Sequence, residues 1–543
     1  MSLFKKINDI SNDERSRKAW LGLAIAVLLC LIIIPSIFVV TKFFTEWDLV
    51  SEVIGNSSMM SLINGAVWNS FSIAFIVTVI DIVVGIPMAW ILVRKQFKGK
   101  KYLDTLMDMP LAFPTAVLGI SVVMFWGFPE GITIPGLRMI ISPYLMMIVL
   151  HIIFTYPYMV RSLSAILEQI EPNYETAAMT LGASKFTAVR TITLPLFRAG
   201  LVTGFILCFA RSLSETGGTY IALTLMNQES SFFTGPTFIA FMKEAGGDAA
   251  MGPMILISVM MILLALVLLI IVKRLMTKLK IPITKVWPQI GRRLSRRFAP
   301  KLKDVLSIAF LVVFVLLPSF YLFSYLTQPV ASVDYGALLG STGTSFLIAG
   351  VAVVFDIIFG IPIALYIARH RNTRAGVLLD NLVNIPLIIP TTALGFSLSL
   401  FWGSLATSGT MSLILVILGH ISFTYPLVVR NITGAVEEVD PSYEEVAMTL
   451  GAKPFQAFSK VLMPIIKSSV IAGGILAFTR SLGETGATVA ITSDISTVPV
   501  YIMNLISDDM YSEAAICSII LIIICFVFMF AVRAITHRGD NNA

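Results

Sequence analysis

The sequence predicts an all-α polytopic membrane protein of about 12 transmembrane helices, built as two parallel six-helix repeats with both termini cytoplasmic. Three observations carry that expectation: an apolar composition, apolar runs of bilayer length, and a repeat of one half in the other. Of 543 residues, 57% are hydrophobic and 13% charged, where a soluble globular chain carries roughly 25% charged residues. The mean hydropathy is +0.87.

Runs of about 20 apolar residues, enough to cross a hydrocarbon core, fall near 19–41, 69–93, 106–127, 140–160, 200–224, 252–273, 303–326, 344–368, 382–403, 411–430, 468–492 and 512–534. The alternating ten-residue pattern of a membrane β-barrel is absent. The first run is long and lacks a small-residue cleavage site, so it reads as an anchor. Cys30, Cys208, Cys517 and Cys525 all sit in apolar runs without CxxC spacing and indicate neither a disulfide framework nor a metal site.

Orientation follows from Lys and Arg, which stay on the cytoplasmic side. Lys5, Lys6, Arg15, Arg17 and Lys18 put the N-terminus inside, as do "VRKQFKGKKY", the basic segment 273–303 and the C-terminal "VRAITHR" for their own connections. The loops assigned outside carry acids such as Glu46, Asp48, Glu52, Glu229, Asp248, Asp494, Asp508, Asp509 and Glu513. The net charge of +7 is then accounted for by orientation and by anionic lipid, with no need for nucleic acid.

The repeat divides the chain into a first half, 1–272, a basic cytoplasmic linker, 273–303, and a second half, 304–543. "DIVVGIP" at Asp81 returns as "DIIFGIP" at Asp356, "FPTAVLG" as "IPTTALG", and "HIIFTYPYMVR" as "HISFTYPLVVR". "RSLSETGGT" from Arg211 returns as "RSLGETGAT" from Arg480. A longer external loop, "FPEGITIPGLR", is expected in the first half only. Parallel repeats of this kind rock about a shared pathway in alternating access.

One repeated peptide is unlike the rest. "PNYETAAMTLGASKF", 172–186, matches "PSYEEVAMTLGAKPF", 441–455, at ten of fifteen positions, within the loops 161–199 and 431–467. Pro172 or Pro441 opens a helix of about ten residues, and Gly182 or Gly451 stands where a left-handed residue ends one. Tyr174, Ala178 and Leu181, with Tyr443, Ala447 and Leu450, share one face. Such a short helix is marginal alone in water and lacks the basic, Trp/Phe-rich character of an interfacial helix. Docking in a protein groove is expected.

The pattern E-A-A, three residues, Gly, nine residues, I-x-L-P resembles the cytoplasmic loop of ABC importer permeases of the type I class. The second copy reads Glu445-Val446-Ala447, Gly451, Val461-Leu462-Met463-Pro464; the first reads Thr176-Ala177-Ala178, Gly182, Ile192-Thr193-Leu194-Pro195, with Glu175 just before it. The fused two-half form resembles ferric iron, thiamine and 2-aminoethylphosphonate permeases, and "DMPLAFPTAVLG" is similar to sulfate and molybdate permeases. The resemblance implies a non-enzymatic permease in the inner membrane of a prokaryote, with an ABC ATPase homodimer holding ATP and magnesium and an extracytoplasmic solute-binding protein as partners. It implies ATPase coupling through Tyr174, Glu175, Thr176, Ala177, Ala178 and Gly182, and through Tyr443, Glu444, Glu445, Val446, Ala447 and Gly451. The chain has no G-x-x-x-x-G-K-[ST] loop, so no nucleotide or other cofactor is expected in it. The expected substrate is a small inorganic ion, a phosphonate or thiamine.

Arg211 and Glu215, like Arg480 and Glu484, are one helical turn apart and roughly 20 Å past the re-entry prolines by helical rise. Midplane ionisable groups mark function, whether as pathway or gate; an intrahelical ion pair holding the bundle is the other reading. Asp81 and Asp356 are repeated intramembrane acids, and an ion-gradient-driven secondary transporter would use them as coupling sites. His151 and His420 have no second ligand at metal spacing and read as structural.

Overall fold

The computed structural model describes residues 12–127, 142–228, 230–278, 295, 298–327, 333–405 and 408–540. The expected external loop "FPEGITIPGLR", Glu229 and most of the basic linker lie outside the described residues. Helix is the regular structure throughout, and no strand occurs among the described residues. Eight helices are long and apolar enough to cross a membrane, and the count reaches 11 if each bent pair is one span. The run expected at 512–534 begins in the shorter apolar helix Tyr511–Val527.

Four expected spans are not straight. The third is the pair Lys100–Leu111 and Thr115–Trp126, bent by 104°, and the ninth is Arg374–Ile388 and Thr391–Trp402, bent by 103°. Phe113-Pro114 and Ile389-Pro390 make both corners in extended backbone, as a proline forbids helix in the residue before it. The fifth and eleventh spans stop at Leu213 and Leu482 and restart at Gly217 and Gly486. These four breaks all lie at the centre, where the halves meet.

The restarted helices cross the inner arms of the bent pairs closely enough to need glycine. A Cβ on Gly119 would lie 2.4 Å from the Gly218 carbonyl oxygen, and one on Gly395 would lie 2.5 Å from that of Ala487. In lipid, helices gain little from burying apolar surface against one another, so such close small-residue packing carries much of the association.

The first span of each half packs largely on the other half. Ala24, Leu28 and Ile32 share a core with Ala352, Ile363, Ile421 and Tyr425, while Leu311, Val315 and Leu322 share one with Val117, Tyr156 and Met159. Both exchanged spans carry a π-helical turn, Leu28–Ile33 and Leu311–Leu316, ahead of a proline, Pro35 or Pro318. A serine hydroxyl from the opposite half fills the gap in each helix. Ser397 Oγ donates to Pro35 O at 2.7 Å and accepts from Val39 N at 2.9 Å. Ser121 Oγ donates to Pro318 O at 2.5 Å and accepts from Leu322 N at 3.0 Å. The side chain is spliced into an i→i−4 ladder, a recognised cause of a kink.

Candidate functional site

A cavity of about 960 Å³ lies between the halves. Asp104, Asp108, Tyr158, Arg161 and Arg211 line it from the first half, and Lys467, Thr479 and Arg480 from the second. Pro464 and Arg480 both line it from one helix, so it runs inward by about 24 Å at 1.5 Å per residue. Near its mouth Arg161 is neutralised by Asp104 and Asp108, each at 2.7 Å. Lys467 lines the same wall without an ion-pair partner among the described residues.

The two Arg–Glu pairs stand at the deep end. Arg211 Nη1 is 2.7 Å from Glu215 Oε2, and Arg480 Nη1 is 2.5 Å from Glu484 Oε2. Each pair bridges a helix end: Arg211 lies in the helix Arg198–Leu213 with Glu215 just past it, and Arg480 in Met463–Leu482 with Glu484 just past it; the arginines line the cavity and the glutamates do not. Each glutamate has a second task. Glu215 Oε1 accepts from Gly218 N at 3.0 Å and Glu484 Oε1 from Ala487 N at 2.9 Å, so the carboxylate caps the helix that restarts after the break. The guanidinium carbons lie 4.9 Å from the Phe154 ring centroid and 5.0 Å from that of Phe423, a cation–π contact.

His151 and His420 staple the same breaks. His151 hydrogen-bonds Ser212 before the break at 2.7 Å and Thr219 after it at 2.9 Å; His420 does so with Ser481 at 2.7 Å and Thr488 at 3.1 Å. Beyond the arginines the halves touch reciprocally. A Cβ on Gly217 would meet Thr485 Oγ1 at 2.3 Å, and one on Gly486 would meet Thr216 Oγ1 at 2.3 Å. Thr216 and Thr392 share a hydrogen bond of 2.5 Å, and Thr391 donates to Ser214 O at 3.2 Å. These contacts join the two halves a few residues past Arg211 and Arg480, which line the cavity.

The repeated peptides form the helices Asn173–Thr180 and Ser442–Thr449, eight residues each rather than about ten, with no residue buried. Each ends in a Schellman turn: Gly182 takes φ +90° and Gly451 φ +91°, with Ala183 N donating to Ala178 O at 3.1 Å and Ala452 N to Ala447 O at 3.0 Å. Leu181 and Leu450 are 89% and 84% exposed, and Tyr174, Thr176, Ala177, Tyr443, Glu445 and Val446 are exposed with them, while Ala178 and Ala447 are half-buried. Glu175 and Glu444 differ from the other predicted coupling residues, since both turn back toward the bundle, to Arg94 and Arg369.

A family model, the binding-protein-dependent transport system inner membrane component, matches residues 81–281 and 360–539. The chain belongs to this family. The sulfate transport system permease protein CysT of Escherichia coli is 33% identical over 202 residues, covering 36% of this chain and 71% of that protein. The Salmonella typhimurium CysT is 38% identical over 148 residues, covering 26% of this chain and 53% of that protein; the chain thus spans about half the length of this and several other curated sulfate permeases it matches. The Fe(3+)-transport system permease protein FbpB 2 of Haemophilus influenzae is 22% identical over 535 residues, 95% of this chain and 98% of that protein.

In this permease Asp81 and Asp356 are fully buried and do not line the cavity. Each accepts from a threonine of the neighbouring helix, Thr155 at 2.6 Å and Thr424 at 2.7 Å, and keeps one oxygen without a hydrogen-bond partner. Sequence reasoning missed the exchange serines, Ser121 and Ser397, and the arginines Arg94 and Arg369. The signal was present: each pair occupies equivalent positions of the repeat, beside "IPS" at Ile34 and "LPS" at Leu317 in the case of the serines.

Proposed function

We propose that this permease is the complete two-half membrane pathway of an ATP-driven importer, open to the cytoplasm in the conformation described. The carrying observation is one cavity built from both halves, which the reciprocal Gly217–Thr485 and Gly486–Thr216 contacts join a few residues past its arginines. In this reading those contacts are the outer gate. The coupling helices Asn173–Thr180 and Ser442–Thr449 each dock on one subunit of an ATPase dimer, presenting Leu181, Leu450 and the tyrosines. ATP-driven closure of the dimer moves the halves and opens the gate to a solute-binding protein outside. The orientation rests on the basic residues of the coupling-loop side.

The substrate of this reading is a small inorganic ion, and the cavity favours an anion. Arg211, Arg480 and Lys467 present donors to it, while Glu215 and Glu484 are buried behind the arginines as helix caps. The sulfate-permease relatives agree in charge. Purification of the tagged chain from its native membrane tests the reading: an ATPase at two copies per chain should copurify, and the reconstituted complex should take up radiolabelled sulfate with ATP. A chain that comes out alone and takes up ions on a proton or sodium gradient would overturn it and favour Asp81 and Asp356 as coupling sites.

A further inference from the structure

Each coupling helix is tied to the membrane spans by one arginine that sits at the same place in both repeats. Arg94 ends the helix Ser57–Arg94, and Arg369 ends Tyr335–Arg369. Arg94 Nη2 donates to Ile170 O at 2.5 Å, and Arg369 Nη1 donates to Val439 O at 3.1 Å. Those carbonyls belong to the C-cap residues of the helices Pro143–Gln169 and Gly409–Glu438, where the last carbonyls have no partner within the helix, so the guanidinium supplies the missing donor. The same guanidinium reaches the first turn of the coupling helix: Arg369 Nη2 is 2.6 Å from Glu444 Oε2, and Arg94 Nε is 3.8 Å from Glu175 Oε1. A cation at one helix C-terminus and an anion at another's N-terminus both suit the helix dipoles.

The two copies are not equally strong. In the first half Thr193 Oγ1 donates to Glu175 Oε1 at 2.6 Å, so the glutamate has a second anchor on the re-entering segment. Leu462 occupies that place in the repeat of the second half, which leaves Glu444 dependent on Arg369.

We propose that Arg94–Glu175 and Arg369–Glu444 are the struts that carry movement of the coupling helices to the second and eighth spans. This rests on the reading of these helices as ATPase docks. Without the strut, a shift of the coupling helix reaches the bundle chiefly along its own chain, into the re-entering segment that lines the cavity. With it, the shift also reaches Ser57–Arg94 and Tyr335–Arg369 together with the ends of Pro143–Gln169 and Gly409–Glu438, so each half moves as a body. The glutamates are positioning residues, distinct from the outward-facing residues that would touch the ATPase.

The test uses the full chain in complex with its ATPase, with Ser468→Cys as a reporter on the cavity wall and a hydrophilic maleimide as probe. In the parent, ATP with vanadate should protect this cysteine as the cavity closes. Glu444→Gln and Arg369→Gln should retain the ATPase at the parental ratio, which also reports correct folding, yet lose protection about tenfold, the lower end for loss of one hydrogen bond to a charged group. Arg369→Lys, which keeps the cation and a donor, should restore part of it, and Arg94→Gln should cost less than Arg369→Gln. Loss of the ATPase from Glu444→Gln would make Glu444 a docking residue and overturn the strut. Full protection in an Arg94→Gln, Arg369→Gln double variant would overturn it equally. A parent chain that binds no ATPase would instead sink the importer reading itself, and the strut with it.

Discussion

Glu484 illustrates how one residue serves two structures. One carboxylate oxygen pairs with Arg480 and the other caps the restarted helix through Ala487 N. Glu484→Ala removes both and leaves the Arg480 charge at low exposure, so it should destabilise the permease by about 3 kcal/mol, the range for breaking a buried ion pair. Glu484→Gln keeps an acceptor for Ala487 N and should cost less. Thermal unfolding of the two variants in the same detergent orders them, and equal losses would deny the capping role. Ser397→Ala is a second residue-scale test. It strands Pro35 O and Val39 N inside the bundle, a loss of about 1–3 kcal/mol, and the equivalent Ser121→Ala, far away in the other half, should add to it.

The coupling helices are held by their ends, since neither buries a residue. Gly182 and Gly451 have open space where a Cβ would go, so the penalty of a larger residue there comes from the backbone alone. At φ near +90° a β-branched residue is strained by about 1–3 kcal/mol. Gly451→Val should therefore fray the Schellman turn and shift Leu450. The expected outcome is weaker ATPase copurification with an unchanged melting temperature of the membrane bundle; unimpaired copurification would show that the turn does not position the dock. The bent spans belong to the same scale. Their corners follow from prolines visible in "FPTAVLG" and "IPTTALG", but apolar run length counts a bent pair and a straight helix alike, so it gives the spans without their bends.

At the scale of the molecule, the halves are interlocked rather than juxtaposed. Each half contributes its first span to the other's core, and reciprocal glycine–threonine contacts join them, the proposed outer gate. Gly217→Leu cannot fit at the present separation, because its Cβ would already lie 2.3 Å from Thr485 Oγ1. The expected result is a gate held ajar: Thr479→Cys, deep in the cavity, should become reactive toward an impermeant reagent added from outside without ATP. Continued protection would place the outer gate elsewhere.

The sequence by itself determined the class, the repeat, the two short repeated helices with their terminal glycines and the family resemblance, because apolar run length, the repeat and turn-specific glycines are local properties written in consecutive residues. Gly182 and Gly451 were legible for that reason, as were the i, i+4 spacings of Arg211 with Glu215 and Arg480 with Glu484. Only the tertiary structure decided where the charges face. It separated the cavity-lining arginines from the glutamates behind them, withdrew Asp81 and Asp356 from the cavity, and turned Glu175 and Glu444 inward to Arg94 and Arg369. It also exchanged the first spans between halves. The physical reason is that a charged or hydroxyl group taken out of water needs a hydrogen-bond partner, and for Asp81, Arg369 and Ser397 that partner comes from whatever packs beside it, more than 50 residues away along the chain.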